Sequence, residues 1–271
     1  MINHASDYAC IICGSDQIWN VSATAAEAAN YIYFLNFSKK QRRVSYAASF
    51  GSWVKEAPQH EAEFLQWLEK FDAISVRETS GVDYIKSLGI DCELCLDPTI
   101  LLDKEDYESI CAERLLDEKY ILMFGWNTNE DLIRAAKKAS KEFGLPVFNI
   151  VPPPRGIRSG IPRKLDVGPC EFLSMVKNAE FVVTNSFHGT AFATTFERPF
   201  VSVVSNEKPD LRMQSLLQQL GLENNLTSAE KFNAEELMNT DFAKVEKEKT
   251  LLRKTSFNYL ERALDGLEKK K

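Results

Sequence analysis

The chain has 271 residues, 44% hydrophobic and 27% charged, with a formal net charge of -6. These values fit a soluble globular protein of one large or two ordinary domains and exclude a disordered or fibrous chain. The acidic balance argues against a nucleic-acid binder, because affinity for a phosphate backbone needs a basic surface.

The sequence contains no apolar run of the ~18 residues that cross a bilayer, and residues 1–20 lack the basic start and apolar stretch of a signal peptide, so a cytoplasmic protein is expected. Residues 8–13 read as a first strand. Gly14-Ser-Asp-Gln-Ile-Trp-Asn20 reads as a polar turn opening a helix, which makes Ser15, Asp16 and Gln17 candidate ligand contacts; the same residue types also serve in a plain glycine turn with a cap. Lys39, Lys40, Arg42 and Arg43 form a solvated approach to a strand over 44–50. In a helix over 58–71, Phe64, Trp67, Leu68 and Phe71 fall at helical spacing and are assigned to the core.

A strand over 73–76 ends in Arg77-Glu78, and a helix over 79–88 closes at Gly89. Arg77 stands just past a strand's carboxyl end, where open α/β sheets place ligands; a salt bridge to Glu78 or to the following helix is the alternative. Residues 91–96 form a short strand ended by an Asp97-Pro98-Thr99 turn, with Asp97 as a cap or interdomain contact. A helical stretch over 104–116 brings the first domain to its boundary, giving domains 1–116 and 117–271.

The alternation then restarts with a strand over 120–126, a helix carrying Leu132, Ala136, Ala139 and Phe143 on one face, and a strand over 147–151. That restart predicts a second, similar α/β domain. Residues 152–164 hold four prolines, Arg155, Arg158, Arg163 and Lys164, and no acidic side chain, which suits a lid over an anion or a plain loop. Pro169 opens the next helix.

Residues 181–184 are a short β-branched and aromatic run of buried-strand type, followed by Asn185 and Ser186, types that end strands and cap helices. His188, Gly189 and Thr190 then fall in the first turn of a helix with Phe187, Ala191 and Phe196 on one face. First-turn N–H groups make an anion site, glycine lets a ligand approach, and the positive helix end disfavours imidazolium, so His188 can take a proton; packing or capping is the other reading. Residues 200–204 form another strand, with Lys208, Asp210 and Arg212 at the head of the next helix. A long helix over 241–267, with Leu252, Leu260, Leu264 and Leu267 in step, is expected to pack across the body.

Of the six cysteines, Cys10/Cys13 and Cys92/Cys95 have the spacing of half zinc sites. Each pair lies in a strand-like run where residues three apart face opposite ways, and zinc ribbons space their pairs more closely. No metal is expected, and the cysteines are read as reduced, mostly buried thiols.

Five segments in order, Gly14-Ser-Asp-Gln-Ile-Trp19, Val44-Ser-Tyr-Ala-Ala-Ser-Phe-Gly51, Ser75-Val-Arg-Glu78, Leu96-Asp-Pro-Thr99 and Thr184-Asn-Ser-Phe-His-Gly-Thr190, together resemble the polysaccharide pyruvyl transferase family. The resemblance implies an α/β fold of two Rossmann-like domains facing across a cleft, as in GT-B glycosyltransferases. It implies a bacterial enzyme of exopolysaccharide biosynthesis that transfers the enolpyruvyl group of phosphoenolpyruvate to a glycan or lipid-linked oligosaccharide as a pyruvate ketal. No cofactor or metal is implied, and peripheral membrane association is left open.

Many members carry Arg-Leu-His where this chain has Ser186-Phe187-His188, which leaves Arg77, Lys208 and Arg212 as candidates to grip phosphate or carboxylate. Members also have a longer amino-terminal stretch, so the first domain is expected to be shortened. On this reading Arg77 and His188 are catalytic, and Ser15, Asp16, Gln17, Asn185, Ser186, Gly189, Thr190, Lys208 and Arg212 bind substrate. The alternatives are a nucleotide-sugar glycosyltransferase of the same fold group and a shortened non-catalytic binding partner.

Overall fold

The computed structural model describes residues 2–20, 32–51, 61–125, 129–150, 160–162, 166–204 and 210–267. Lys208 and all of the basic 152–164 segment except 160–162 lie outside them. Contacts divide the chain into two compact units, Met1–Pro98 with Lys249–Lys271, and Thr99–Glu248. Residues 99–116, placed in the first domain from sequence, therefore group with the second.

In the first unit, β1 (Cys10–Cys13) pairs in parallel with β2 (Arg42–Ser45). Helix α1 (Glu61–Leu68) follows, then β3 (Ser75–Val76), α2 (Thr79–Ser87) and β4 (Glu93–Leu94). β3 and β4 are parallel, and the bridges Val44↔Ala73 and Ala48↔Val76 join β2 to β3. Phe64 and Leu68, one turn apart on α1, are fully buried with Trp19, Phe34 and Phe50. Each such side chain contributes at most about 1.5–3 kcal/mol of burial energy.

The strand expected over 44–50 begins earlier and stops at Ser45. Ala47 takes a left-handed backbone (φ 49) and gives its N–H to Ser75 Oγ rather than to a ladder carbonyl. Residues 14–20 make turns without starting a helix. Pro98 does not end in a turn but opens α3 (Pro98–Leu101) from the first helical position, where its missing N–H costs nothing. The helix expected over 104–116 is only α4 (Lys104–Glu108), because beyond it the chain bonds sideways, Ala112 N–H to Cys170 O at 3.0 Å.

The second unit continues with β5 (Ile121–Phe124), α5 (Glu130–Phe143), β6 (Val147–Asn149), α6 (Pro169–Lys177), β7 (Phe181–Thr184), α7 (Phe187–Thr195), β8 (Phe200–Val203), α8 (Leu211–Gln219), β9 (Leu226–Thr227) and α9 (Ala234–Met238). The sheet has the order β6-β5-β7-β8-β9, all parallel. Strands of this kind are buried on both faces and read as largely apolar runs, and all four residues of β7, Phe181 to Thr184, are buried. On α5, Leu132, Ala135, Ala136 and Ala139 are buried, and Asn129 caps the helix by accepting the Leu132 N–H at 2.8 Å.

The last helix, α10 (Phe242–Leu264), is divided between the units at Glu248 and Lys249. Its buried face is Val245, Lys249, Arg253, Ser256, Tyr259 and Ala263, whereas Leu252, Leu260 and Leu264 flank it half-buried. Two polar residues of its first-unit part bond within that unit: Ser256 Oγ accepts the Leu96 N–H at 2.9 Å, and Tyr259 OH donates to Ser45 O at 2.6 Å. Among the described residues no helix is long and apolar enough to cross a membrane.

Candidate functional site

In the second unit the chain leaves β5 toward β6 on one side and reaches β7, β8 and β9 on the other, so the strand order reverses between β5 and β7. Open α/β sheets bind ligands beyond the carboxyl ends of the strands at such a point. The residues there are Gly125 after β5 and Asn185 to His188 after β7. The two strand ends are tightly apposed: a Cβ on Gly125 would sit 2.1 Å from Asn185 Oδ1 and 2.8 Å from Leu132 Cδ2.

Ser186 caps α7, its Oγ accepting the Gly189 N–H at 3.5 Å, while its own N–H donates to Thr184 Oγ1 at 3.0 Å. Of the nine residues of α7, eight are buried and His188 alone is half-buried. The helix is therefore a core element on every side except the one that carries the imidazole. Two neighbouring residues expected to touch substrate face inward. A Cβ on Gly189 would lie 2.2 Å from Thr184 Oγ1 and 2.9 Å from Phe124 Cδ1, so glycine here permits close packing of helix on sheet. Thr190 is fully buried, its hydroxyl 3.1 Å from Ser186 O and 2.6 Å from Ser202 Oγ.

In the first unit, Ser15, Asp16 and Arg77 come together with Asp97. Arg77, its side chain 1% exposed, gives Nη1–H to Asp97 Oδ2 at 2.5 Å and Nη2–H to Asp16 Oδ1 at 3.1 Å. Ser15 Oγ lies 2.8 Å from both Asp97 Oδ2 and Ala47 O. Glu78 Oε2 is 4.0 Å from the Arg77 Nε, and Glu78 Oε1 accepts the Phe50 N–H at 2.7 Å. The guanidinium is thus held inside the unit by carboxylates, while the Asp16 side chain is 67% exposed on a left-handed backbone (φ 58).

Among the other candidates, Gln17 Oε1 accepts from Asn20 Nδ2 at 2.6 Å, and Arg212 forks onto Asp210 two residues before it, Nε at 3.0 Å and Nη2 at 2.5 Å. Asp97, read from sequence as a cap or interdomain contact, is the inner anchor of the Arg77 cluster. The available signal was an acidic residue ending an apolar strand twenty positions after an arginine that ends another. Gly125 is not among the sequence candidates, since nothing in the sequence tells which strand neighbours β7.

Among the described residues no three His, Cys, Asp or Glu side chains are grouped to hold a metal. All six cysteines are thiols; Cys13, Cys92 and Cys95 are buried, Cys10 and Cys111 half-buried, and Cys170 exposed. Burial pushes the Cys95 thiol, two residues before Asp97, up to about 11 and keeps it protonated at neutral pH.

Solved structures with a similar fold include a protein described as a UDP-N-acetylglucosamine 2-epimerase from Listeria monocytogenes, 12% identical, with a TM-score of 0.58 over 98% of this chain and 77% of the other. The S. aureus MnaA complex with UDP is 14% identical, with a TM-score of 0.56 over 100% and 80%. A Methanocaldococcus jannaschii UDP-GlcNAc 2-epimerase bound to UDP-GlcNAc and UDP is 12% identical, with a TM-score of 0.53 over 92% and 75%. At such identities the likeness establishes the fold alone, which is α/β and GT-B-like. No curated protein matches the sequence at a significant level. The family model for polysaccharide pyruvyl transferase matches residues 2–207, well over half of the chain, and takes in all five segments in which the sequence resembles that family, so the chain belongs to the polysaccharide pyruvyl transferase family.

Proposed function

We propose that this protein transfers the enolpyruvyl group of phosphoenolpyruvate to two hydroxyls of a glycan, forming a cyclic pyruvate ketal and releasing phosphate. The observation that carries the reading is the placement of His188, the one half-buried residue of an otherwise buried helix, at the carboxyl end of β7 where the strand order reverses.

The chemistry needs a proton delivered to the methylene carbon, which leaves the central carbon electron-poor. One glycan hydroxyl attacks that carbon and loses its proton, phosphate departs, and the second hydroxyl closes the ketal and releases its own proton. His188 is assigned the proton transfer, a role that contributes typically 10²- to 10⁴-fold in rate. The amino-terminal end of α7, whose peptide dipoles present positive potential to Asn185, Ser186 and His188, supports the anionic donor. Arg212 lends little cationic charge while it is forked onto Asp210.

The test is phosphate release from phosphoenolpyruvate on addition of glycan acceptors, with UDP-sugars run in parallel as donors. Phosphate formed only when both phosphoenolpyruvate and glycan are present supports the reading. Release of a nucleoside diphosphate from a UDP-sugar, with phosphoenolpyruvate inert, would replace it by glycosyl transfer.

A further inference from the structure

We infer that Cys111 and Cys170 form a redox-sensitive pair that closes to a disulfide and so fastens the segment after α4 to the first turn of α6. Both residues belong to the second unit, on separate stretches of chain. The Ala112 N–H donates to Cys170 O at 3.0 Å, so the peptide that follows Cys111 abuts the carbonyl of Cys170 itself. Standard bond lengths on either side of that hydrogen bond put the two α-carbons about 4–7 Å apart. A disulfide bridges α-carbons about 4.4–6.8 Å apart. The segment is held from both flanks of the cysteine, since Ser174 Oγ donates to Glu113 O at 3.0 Å and Lys177 Nζ pairs with Glu108 Oε1 at 2.8 Å.

The thiols also sense each other. Burial raises the Cys111 thiol, Lys177 lowers it, and Glu108 and Cys170 raise it. The influence of Cys170 requires nearness, because exposed charges more than about 8–10 Å apart are largely screened. Cys170 is exposed and Cys111 half-buried, so a soluble oxidant reaches the first and the second stands beside it. Cys95 acts on Cys92 in the same way, but both are buried away from any such reagent. Among the described residues no third His, Cys, Asp or Glu joins Cys111 and Cys170 to make a metal site.

The oxidant is a low-molecular-weight disulfide. The Cys170 thiolate attacks one of its sulfurs, the small S–S bond breaks, and one small thiol leaves. The Cys111 thiolate then attacks the Cys170 sulfur of the mixed disulfide and expels the second small thiol. The protein thiols lose two hydrogens and two electrons, which the small disulfide takes up in becoming two thiols; an excess of small thiol reverses the steps. Tyr107, one turn before Cys111, and Phe172, just after Cys170, both pack edge-on against Phe192 of α7, with ring centroids 5.2 Å and 5.6 Å away. The bond therefore closes a ring of contacts on the helix that carries His188. Neither thiol takes part in the reaction proposed above, so the pair stands or falls separately.

The full chain is equilibrated with glutathione disulfide and glutathione at graded ratios, its free thiols are alkylated after acid quenching, and non-reduced proteolytic fragments are read by mass spectrometry. Wild type is expected to lose about 2 Da, with the fragments bearing Cys111 and Cys170 linked. Cys111→Ser is expected to stall at the mixed disulfide, carrying at least about tenfold more glutathione on Cys170 than wild type, because the neighbouring thiol acts at an effective concentration of about millimolar or more. Cys170→Ser, a change at an exposed position, is expected to leave Cys111 reduced at every ratio that links the wild type. Amide exchange over 109–113 should slow by about tenfold or more in oxidised wild type and not in oxidised Cys111→Ser. A glutathione adduct as abundant in wild type as in Cys111→Ser, linkage of either cysteine to another thiol within or between chains, oxidation of Cys111 in Cys170→Ser, or exchange over 109–113 indifferent to oxidation would overturn the inference.

Discussion

Arg77 and His188 occupy the same topological position, one or a few residues past the carboxyl end of a parallel strand, and the two units use it in opposite ways. After β3 the polar residue turns inward and is held by Asp97 and Asp16. After β7 the chain makes a buried helix whose imidazole-bearing residue alone reaches the surface. The lesson is that a strand end provides a place but not a direction. A long cation with buried carboxylates nearby folds in, because an ion taken out of water needs a partner. A short side chain on a packed helix has no inward space, and Phe187 and Gly189 to Thr195 already fill it.

The largest effect that separates the two ends is expected from His188→Asn. If the histidine transfers the proton, turnover should fall by about 10²- to 10⁴-fold while urea unfolding stays within about 0.5 kcal/mol of wild type, since a half-buried residue in a capped turn carries little of the fold. Full activity together with a large stability loss would make His188 a packing residue and erase the contrast with Arg77.

The mirror-image change is Arg77→Met, where stability should drop by about 3–5 kcal/mol, because Asp97 is left buried and charged with its main partner gone. Adding Asp97→Leu should recover most of that loss in the same urea titration. Asp16→Asn, on the exposed side of the same cluster, should cost less than about 1 kcal/mol. Equal losses from Asp16→Asn and Arg77→Met would mean that Arg77 is not anchored from within.

How much of this could be read from the residues alone follows the range of the interactions. Strand β7 and the start of α7 were legible to the residue, since a β-branched and aromatic run, Phe181 to Thr184, followed by Asn and Ser is a local pattern. The partners of Arg77 were not, because Asp97 is 20 and Asp16 61 positions away and nothing local encodes either pairing. The inner face of α10 was misread for a related reason. Counting leucines finds the flank, whereas the buried positions include Lys249, Arg253 and Ser256, and Ser256 lies inside because the Leu96 N–H needs an acceptor. In the turn at 185–190, sequence grouped all the polar types as ligand contacts, but packing turns Gly189 and Thr190 toward the core.

That division within one turn has its own test. Gly189→Ala places a methyl 2.2 Å from Thr184 Oγ1, so overpacking should cost about 1–3 kcal/mol in urea unfolding, and Thr184→Ala in the same chain should recover part of it. A neutral Gly189→Ala would mean that the glycine is not required for packing, which would return it to the list of ligand contacts.

The smallest effect compares the two units through one buried tyrosine in each. Tyr259 donates to Ser45 O at 2.6 Å in the first unit and Tyr120 to Met175 O at 2.8 Å in the second. Replacing either by Phe should cost about 0.5–1.5 kcal/mol at pH 8, the net worth of one such bond. Burial raises both phenols well above their ordinary value of about 10. The sign follows: above pH 10 the unfolded chain gives up these protons while the folded chain keeps them, so the stability each phenol adds is complete below pH 10 and is lost as pH rises toward the folded value. Each variant lacks that loss. The gap between wild type and Tyr259→Phe, and likewise Tyr120→Phe, should therefore be constant from pH 7 to 9 and shrink in urea titrations at pH 10.5 and 11. A gap that widens with pH would show that the phenol is not buried as a neutral donor, and a gap that shrinks for only one of the two would single out the unit whose core admits the phenolate.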